Sequence, residues 1–346
     1  MTAAETEKYA FETGVYRPPS EGGSNSLLVR LTRNCPWNHC TFCGMYKGQR
    51  FELRPVADIK RDIDAMARLR DDLAALSGPS GHDGGITREA IFGLLGKHPV
   101  LNDHEGFAMF CHWLLSGAKT VFLQDANSLI MKTDDLLGVL AYLRRTFPSI
   151  TRITSYARAK TLAQKSLDAL TAIRQAGLDR LHVGLESGDD AVLERIRKGA
   201  TADIHIAGGR KALAAGFQLS EYWMPGLGGR SAWQAHAVNT ARVLNAIDPH
   251  YIRSRPFRTM PGTPMAEAMA NGDFEMLTPT EQLQELRLTI QQLEVTGRVC
   301  FDHMGNYWRN PQGRLLFSHS YEGYPFPDAK QQVLDLIDDG LAVGRC

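Results

Sequence analysis

The 346-residue chain has no apolar run near the ~20 residues that a membrane-spanning helix needs, which excludes a helical span. It has no charge surplus. Lys and Arg number 39 against 38 Asp and Glu, a formal net charge of +1, so no bulk pull toward nucleic acid or a membrane surface is implied. The N-terminus, "MTAAETEKYAFETG", is polar and acidic and lacks the apolar core of a signal peptide, which predicts a cytoplasmic protein. Internal repeats and low-complexity tracts are also missing. Cysteine is scarce, at six residues, and a reducing compartment argues against pairing them as disulfides.

What is there is a cluster. Cys35, Cys40 and Cys43 fall within nine residues, in "RNCPWNHCTFCGMYKG". Three thiols are one short of a closed tetrahedral metal site and one too many for a single disulfide. The residues leave three readings open. A structural zinc wants four ligands, and His39 could be the fourth, but it is adjacent to Cys40, where bite geometry is poor. Three unrelated thiols in one loop would be an oxidation liability. A cubane iron–sulfur cluster is usually held by a thiolate on each of its four irons. Three cysteines would leave one iron open to bind a substrate or cofactor. The spacing favours this last reading.

The pattern around the cluster is α/β. "SLLVRLT" (residues 26–32) reads as a buried strand, so the cysteines sit on the loop after it. Val56, Ile59, Ile63, Met66 and Leu69 mark one face of a helix. A Gly/Ser/Pro-rich loop at 77–85 and helices near 87–95 and 104–116 form an insertion, about 77–118. Strands and helices then alternate: "TVFLQD", "ITRITSY", "RLHVGLES", "FQLSEYWM" and "HYIRSRPF" are strand-like, each but the last followed by a helical stretch. The stretch "LAQKSLDALTAIRQAG" reads as one helix closed by Gly177. Six strand–helix units predict parallel strands with crossover helices. We expect a partial (β/α)6 TIM-like barrel, because chemistry-bearing residues recur at strand C-terminal ends. The expected organisation is a lead-in segment 1–25, a barrel 26–264 and a mainly helical C-terminal appendage 265–346, with helices near 280–295 and 328–342.

A strand followed by three closely spaced cysteines and a partial barrel resembles the radical S-adenosylmethionine (SAM) superfamily. The usual cysteine spacing there is three then two; here it is four then two, a CX4CX2C variant with the same ligand count. The resemblance covers roughly residues 26–264 and is nearest to the group with tRNA methylthiotransferases, the Elongator catalytic subunit and oxygen-independent coproporphyrinogen oxidase-like proteins. It implies that Cys35, Cys40 and Cys43 hold a [4Fe–4S] cluster whose open iron chelates SAM. One electron then splits SAM to methionine and a 5'-deoxyadenosyl radical that abstracts hydrogen from substrate. It also implies an electron donor such as flavodoxin or ferredoxin.

By the same resemblance, Phe42 packs on the adenine side of SAM. Asp125 is the candidate partner of the SAM ammonium, with Asn127 beside it, although the turn "LQDANSL" lacks the group's glycines. Ser155 suits the ribose. The planar fork of Arg158 suits a carboxylate. Glu186 contacts SAM, and Lys198, hedged by Arg197, takes the SAM carboxylate. Met224 and Gly226, in "EYWMPGLGG", belong to the segment that stacks beside adenine through its backbone. "PGTP" occurs after the last barrel strand of the same relatives.

Other positions are read from the residues. Glu221 and Tyr222 point to opposite faces of their strand. Arg253 and Arg255 share parity, and two inward arginines point to an anionic small-molecule substrate. His182 reads as a core histidine. His303, Tyr307 and Trp308 form either a cover over the barrel mouth or an ordinary small core. Cys346 reads as exposed and flexible. No catalytic residue is assignable. Two rival functions stand beside the radical enzyme: a haem or cofactor carrier of the coproporphyrinogen oxidase-like kind, and an RNA-modifying radical SAM enzyme. The neutral charge and the lack of a second cysteine triad argue against RNA.

Overall fold

The computed structural model describes residues 8–14, 26–78 and 86–343. Cys346, most of the lead-in segment and most of the loop at 77–85 lie outside them. The strands are β1 (Ser26–Arg30), β2 (Thr32–Arg33), β3 (Glu52–Leu53), β4 (Thr120–Gln124), β5 (Arg152–Ala157), β6 (Arg180–Glu186), β7 (Gln218–Trp223), β8 (Tyr251–Ser254), β9 (Arg298–Cys300) and β10 (Tyr324–Pro325). The helices are α1 (Val56–Ser77), α2 (Arg88–Lys97), α3 (Phe107–Leu115), α4 (Thr133–Thr146), α5 (Ala159–Gln164), α6 (Leu167–Gln175), α7 (Asp190–Arg195), α8 (Ala202–Ala214), α9 (Gly229–Ile247), α10 (Pro264–Ala270), α11 (Pro279–Gln292) and α12 (Lys330–Val343).

Eight strands form one mostly parallel sheet in the order β1-β4-β5-β6-β7-β8-β9-β10, and β2 and β3 make a separate pair. The order follows the chain without reversal. That is barrel wiring; a doubly wound sheet turns back at a switch point. The six expected units are β1, β4, β5, β6, β7 and β8, and α2 and α3 are the expected insertion. The C-terminal region adds more than helices: β9 pairs parallel with β8, and β10 antiparallel with β9. One expected helix is two. The run after β5 breaks at residues 165–166 because the Ser166 hydroxyl accepts from the Ala169 N–H at 3.2 Å and so caps a new helix.

The chain divides into two compact units. The first comprises Met1–Asn34, Arg50–Tyr156 and Ala172–Arg180. In it β1, β4 and β5 are paired parallel, and Leu28, Met109 and Phe122 pack together. The second comprises Cys35–Gln49, Ala157–Thr171 and Leu181–Cys346. There β7, β8 and β9 run parallel. Its apolar cluster joins Val192, Leu193 and Ile196 to Met224, Leu227 and Phe257, with Phe42 of the cysteine loop packed against it.

Candidate active site

The site lies within the second unit and starts from the cysteine loop. Two backbone bonds stitch that loop in place: Thr41 N–H donates to Ile196 O, and Met265 N–H donates to Thr41 O, both at 3.0 Å. Inside the loop, Asn38 takes a left-handed φ of 48°. Its side-chain amide donates to Tyr46 O at 2.6 Å, and its carbonyl receives Lys47 Nζ at 2.7 Å. Its N–H also points at the Cys35 sulfur, 3.4 Å away. All three thiols are free and half-buried. Burial pushes Cys40 up; Lys198 pulls it down, while Glu186, Cys43 and Cys35 push it further up. The Cys40 sulfur therefore lies within electrostatic reach of the Lys198–Glu186 pair.

The rim is built from Trp37, from Arg158, from Glu186 at the end of β6 and from Arg197 and Lys198 after α7, all in the second unit. Trp37 Nε1 donates to Arg197 O at 2.7 Å, and the Arg158 guanidinium lies 5.0 Å from the Trp37 ring centroid. Arg158 Nη2 donates to Lys198 O at 2.8 Å. Burial lowers the Arg158 pKa, and negative charge on Cys35 and Cys40 raises it in part. Lys198 Nζ meets Glu186 Oε1 at 2.8 Å. Burial opposes the Lys198 charge, but Glu186 and Cys40 outweigh it and hold the lysine above its ordinary value. Glu186 closes β6 with a φ of 62°, a left-handed conformation that costs a non-glycine residue energy and recurs at functional sites. Its carbonyl accepts the Met224 N–H at 3.0 Å.

The sequence-predicted residues divide into two sets. Cys35, Cys40, Cys43, Phe42, Arg158, Glu186, Lys198, Met224 and Gly226 all fall in the second unit. Phe42 and Met224 share an apolar cluster. Asp125, Asn127 and Ser155 fall in the first unit. There the Asp125 carboxylate is already bonded to Arg30 and to the Asn34 N–H, and its side chain is fully buried. Asn127 is buried, and its carbonyl accepts from Ile130. The Ser155 hydroxyl donates to the Tyr156 carbonyl at 3.0 Å. The Asp125 and Ser155 side chains and the Asn127 backbone are engaged within their own unit.

Elsewhere in the second unit, Glu221 and Tyr222 do point oppositely. Tyr222 lies edge-on to His182 at 5.5 Å, whereas both Glu221 oxygens are buried with no hydrogen-bond partner. His182 is fully buried, as a core histidine is. Arg253 is fully buried between the Tyr251 and Tyr321 rings and paired with Asp302 at 2.9 Å; Arg255 is half-buried. Trp308 is buried and Tyr307 is exposed, stacked parallel. Sequence reasoning missed Trp37, His236 and Glu285. The signal for Glu285 was present: it is an acid on the α11 face that also carries Leu286 and Ile290, both buried.

The donor set is three thiols of one loop. Zinc–thiolate bonds of ~2.3 Å in a tetrahedron bring sulfurs within roughly 3.8 Å of one another. Among the described residues, no three His, Cys, Asp or Glu side chains come together as donors to one metal ion. In a cubane each thiolate binds its own iron, so the sulfurs surround the cluster rather than a point. Three free, half-buried thiols of one loop, with Arg158 and Lys198 beside them to offset negative charge, fit that group.

No protein-family model matches the chain, and no curated protein does. Among solved structures, 63 chains match. One is TsrM from Kitasatospora setae, a radical S-adenosylmethionine methyltransferase with cobalamin and a [4Fe–4S] cluster bound. It is 16% identical with a TM-score of 0.47, over 76% of this chain and 43% of that one. Another is the archaeal Methanocaldococcus infernus Elp3, at 12% identity and a TM-score of 0.44, over 63% of this chain and 53% of that one. A third is the radical SAM enzyme coproporphyrinogen III oxidase (HemN) from Escherichia coli, at 16% and 0.41, over 50% and 39%. The chain thus spans about half or less of each protein's length. All three TM-scores lie below 0.5, and these likenesses carry no argument about function.

Proposed function

We propose that the protein is a radical SAM enzyme acting on a small, anionic substrate. The observation that carries this reading is the convergence of three free thiols from one loop with the Lys198–Glu186 pair and Arg158. Cys35, Cys40 and Cys43 would hold a [4Fe–4S] cluster. When bound, the cluster supplies one electron to SAM, whose cleavage gives methionine and a 5'-deoxyadenosyl radical. The protein's own residues bind and orient. Glu186 and Lys198 present one charge of each sign, matching the ammonium and carboxylate of the methionine half. Arg158 adds a second cation on the carboxylate side. Phe42 and Met224 supply an apolar wall for the adenine, which also keeps water away from a reactive intermediate. Arg253 is sealed against Asp302, so the half-buried Arg255 is the proposed partner of the anionic substrate, and a flavodoxin- or ferredoxin-like protein is the proposed electron donor. Cytoplasmic location, the barrel boundaries at 26 and 264 and the appendage 265–346 belong to the same proposal.

The test is anaerobic. The purified protein is reconstituted with iron and sulfide, its iron is counted, and SAM and dithionite are added. Roughly four irons per chain and 5'-deoxyadenosine by mass spectrometry are expected, and Cys40→Ala abolishes the product. Undiminished deoxyadenosine from that variant, or a metal-loaded protein that leaves SAM intact, overturns the reading and turns attention to a carrier role.

A further inference from the structure

A buried polar network stands behind the turn after β7, and the reading above does not use it. The turn, residues 224–229, reads Met-Pro-Gly-Leu-Gly-Gly. Gly226 and Gly229 have φ of 89° and 63°, and three glycines in six residues leave a backbone with little preference of its own. Its conformation is imposed by partners. Met224 N–H donates to Glu186 O at 3.0 Å, and Pro225 O accepts from Phe257 N–H at 2.8 Å. The far half is held by Arg195, whose Nη2 donates to Leu227 O at 3.0 Å and Gly228 O at 2.8 Å; the near half, residues 224–226, is held by two side chains from separate helices. His236 of α9 reaches Met224 O with Nε2 at 3.1 Å. Glu285 of α11 accepts the Gly226 N–H at 2.7 Å.

Both side chains are fully buried. Burying an imidazole and a carboxyl costs free energy that apolar residues there would not incur. The return is specificity of conformation. His236 faces a carbonyl at Nε2, so that nitrogen carries the proton. Nδ1 then accepts from the Ser187 hydroxyl at 2.8 Å, and Ser187 lies just beyond β6. The imidazole therefore ties the loop after β6 to the turn after β7. Glu285 Oε1 lies 3.5 Å from His236 Nε2 and closes the network from the other side. Met224 shares an apolar cluster with Phe42, which stands between Cys40 and Cys43. A ligand bound at the cysteine loop therefore meets this turn on its apolar flank.

We propose that His236 and Glu285 are positioning residues that fix the backbone of residues 224–226, and so set the affinity for the adenosyl half of SAM without touching it. This rests on the radical SAM reading. Withdrawing the partner of a buried backbone group costs roughly 10- to 100-fold in whatever its position sets.

The experiment measures equilibrium binding of SAM, and of methionine as a second probe, to the anaerobically reconstituted protein. Amide hydrogen exchange at Gly226 is followed in the cluster-free protein. Glu285→Gln and His236→Gln keep the acceptor and the donor, and are expected to bind SAM like the wild type. Glu285→Met, His236→Leu and the shorter Glu285→Asp withdraw them. These variants are expected to bind SAM about 10- to 100-fold more weakly, to bind methionine unchanged and to exchange Gly226 faster. If the Met and Leu variants do not fold, Glu285→Asp and Glu285→Gln decide between them. Wild-type SAM affinity in Glu285→Met or Glu285→Asp overturns the proposal, as does an equal loss for methionine. A wild-type protein that carries four irons and binds no SAM overturns the parent reading, and this inference with it.

Discussion

Replacing Glu285 by Gln should change how stability depends on pH far more than it changes stability at any one acidic pH. Burial raises the Glu285 carboxyl from its ordinary 4.5 to about 8, against a smaller lowering by the Gly226 N–H. In the unfolded chain the group ionises near its ordinary value. Between about 4.5 and 8 the native state therefore holds a proton that the unfolded state has released. Stability from this group is fully present below 4.5 and is lost as pH rises through 8. The slope is about 1.4 kcal/mol per pH unit, or roughly 5 kcal/mol across the whole window. Glutamine is a fixed copy of the protonated acid. It keeps the carbonyl that accepts from Gly226 and cannot ionise. His236, lowered to about 4 chiefly by burial, pulls stability down on the acid side, but it does so in both proteins and leaves their difference largely unaffected. Urea unfolding at pH 5, 7 and 9 reads the result. Glu285→Gln should be near wild type at pH 5 and several kcal/mol more stable at pH 9. Parallel pH curves for the two proteins would refute the claim that this carboxyl is buried with its proton.

Four further expectations use the same logic. Glu12 bridges Arg30, Arg33 and Arg54; its carboxyl is raised by burial but lowered more by those arginines, so it sits below its ordinary value. Its contribution is present above pH ~4.5 and lost as pH falls, and Glu12→Gln should cost roughly 2–3 kcal/mol at pH 7 in chemical unfolding. Gly188→Ala should destabilise by about 1–3 kcal/mol, because a Cβ there overlaps the Asn239 carbonyl, which is backbone and cannot move aside. Gly93→Ala, in mid-α2 with open space around the new methyl, should instead stabilise by about 0.5–1 kcal/mol, read as a rise in Tm. Lys198→Met should leave Glu186 without its 2.8 Å partner and weaken SAM binding at least tenfold while leaving the iron count unchanged; equal loss of iron would assign Lys198 to the cysteine loop instead.

The architecture was legible because alternation of apolar strands and amphipathic helices is a long-wavelength signal that single residues do not upset. Six units, the insertion and the C-terminal helices all appear where the pattern places them. Two things were not legible. The break between α5 and α6 depends on one serine hydroxyl choosing a backbone amide, a local competition that periodicity does not register. Strand β9 is three residues long, too short to carry an alternation.

The site shows the same division at the level of side chains. The three thiols stand out in the sequence because their spacing places them in one loop. An acid just after a strand, Asp125 reads as a ligand group, and its contacts are ones that no local pattern registers. Here Arg30 and the Asn34 N–H already occupy its Oδ2 oxygen, a fact that depends on residues more than ninety positions away. Trp37 is the reverse case. Nothing in the sequence marks it out from an ordinary loop aromatic, yet it donates to Arg197 O and lies under the Arg158 guanidinium. It thereby couples the cysteine loop to the segment that carries Lys198. Gly199 makes room for the ring, since a Cβ there would run into the indole, and its φ of 71° suits a residue without one. The loop, the lysine and the arginine are thus held as one body. Trp37→Ala should loosen all three together: the cluster, once reconstituted, should be lost faster to a chelator, and SAM binding should fall with it. A variant that keeps its iron as long as wild type while losing SAM affinity would locate the effect of Trp37 in Arg158 alone.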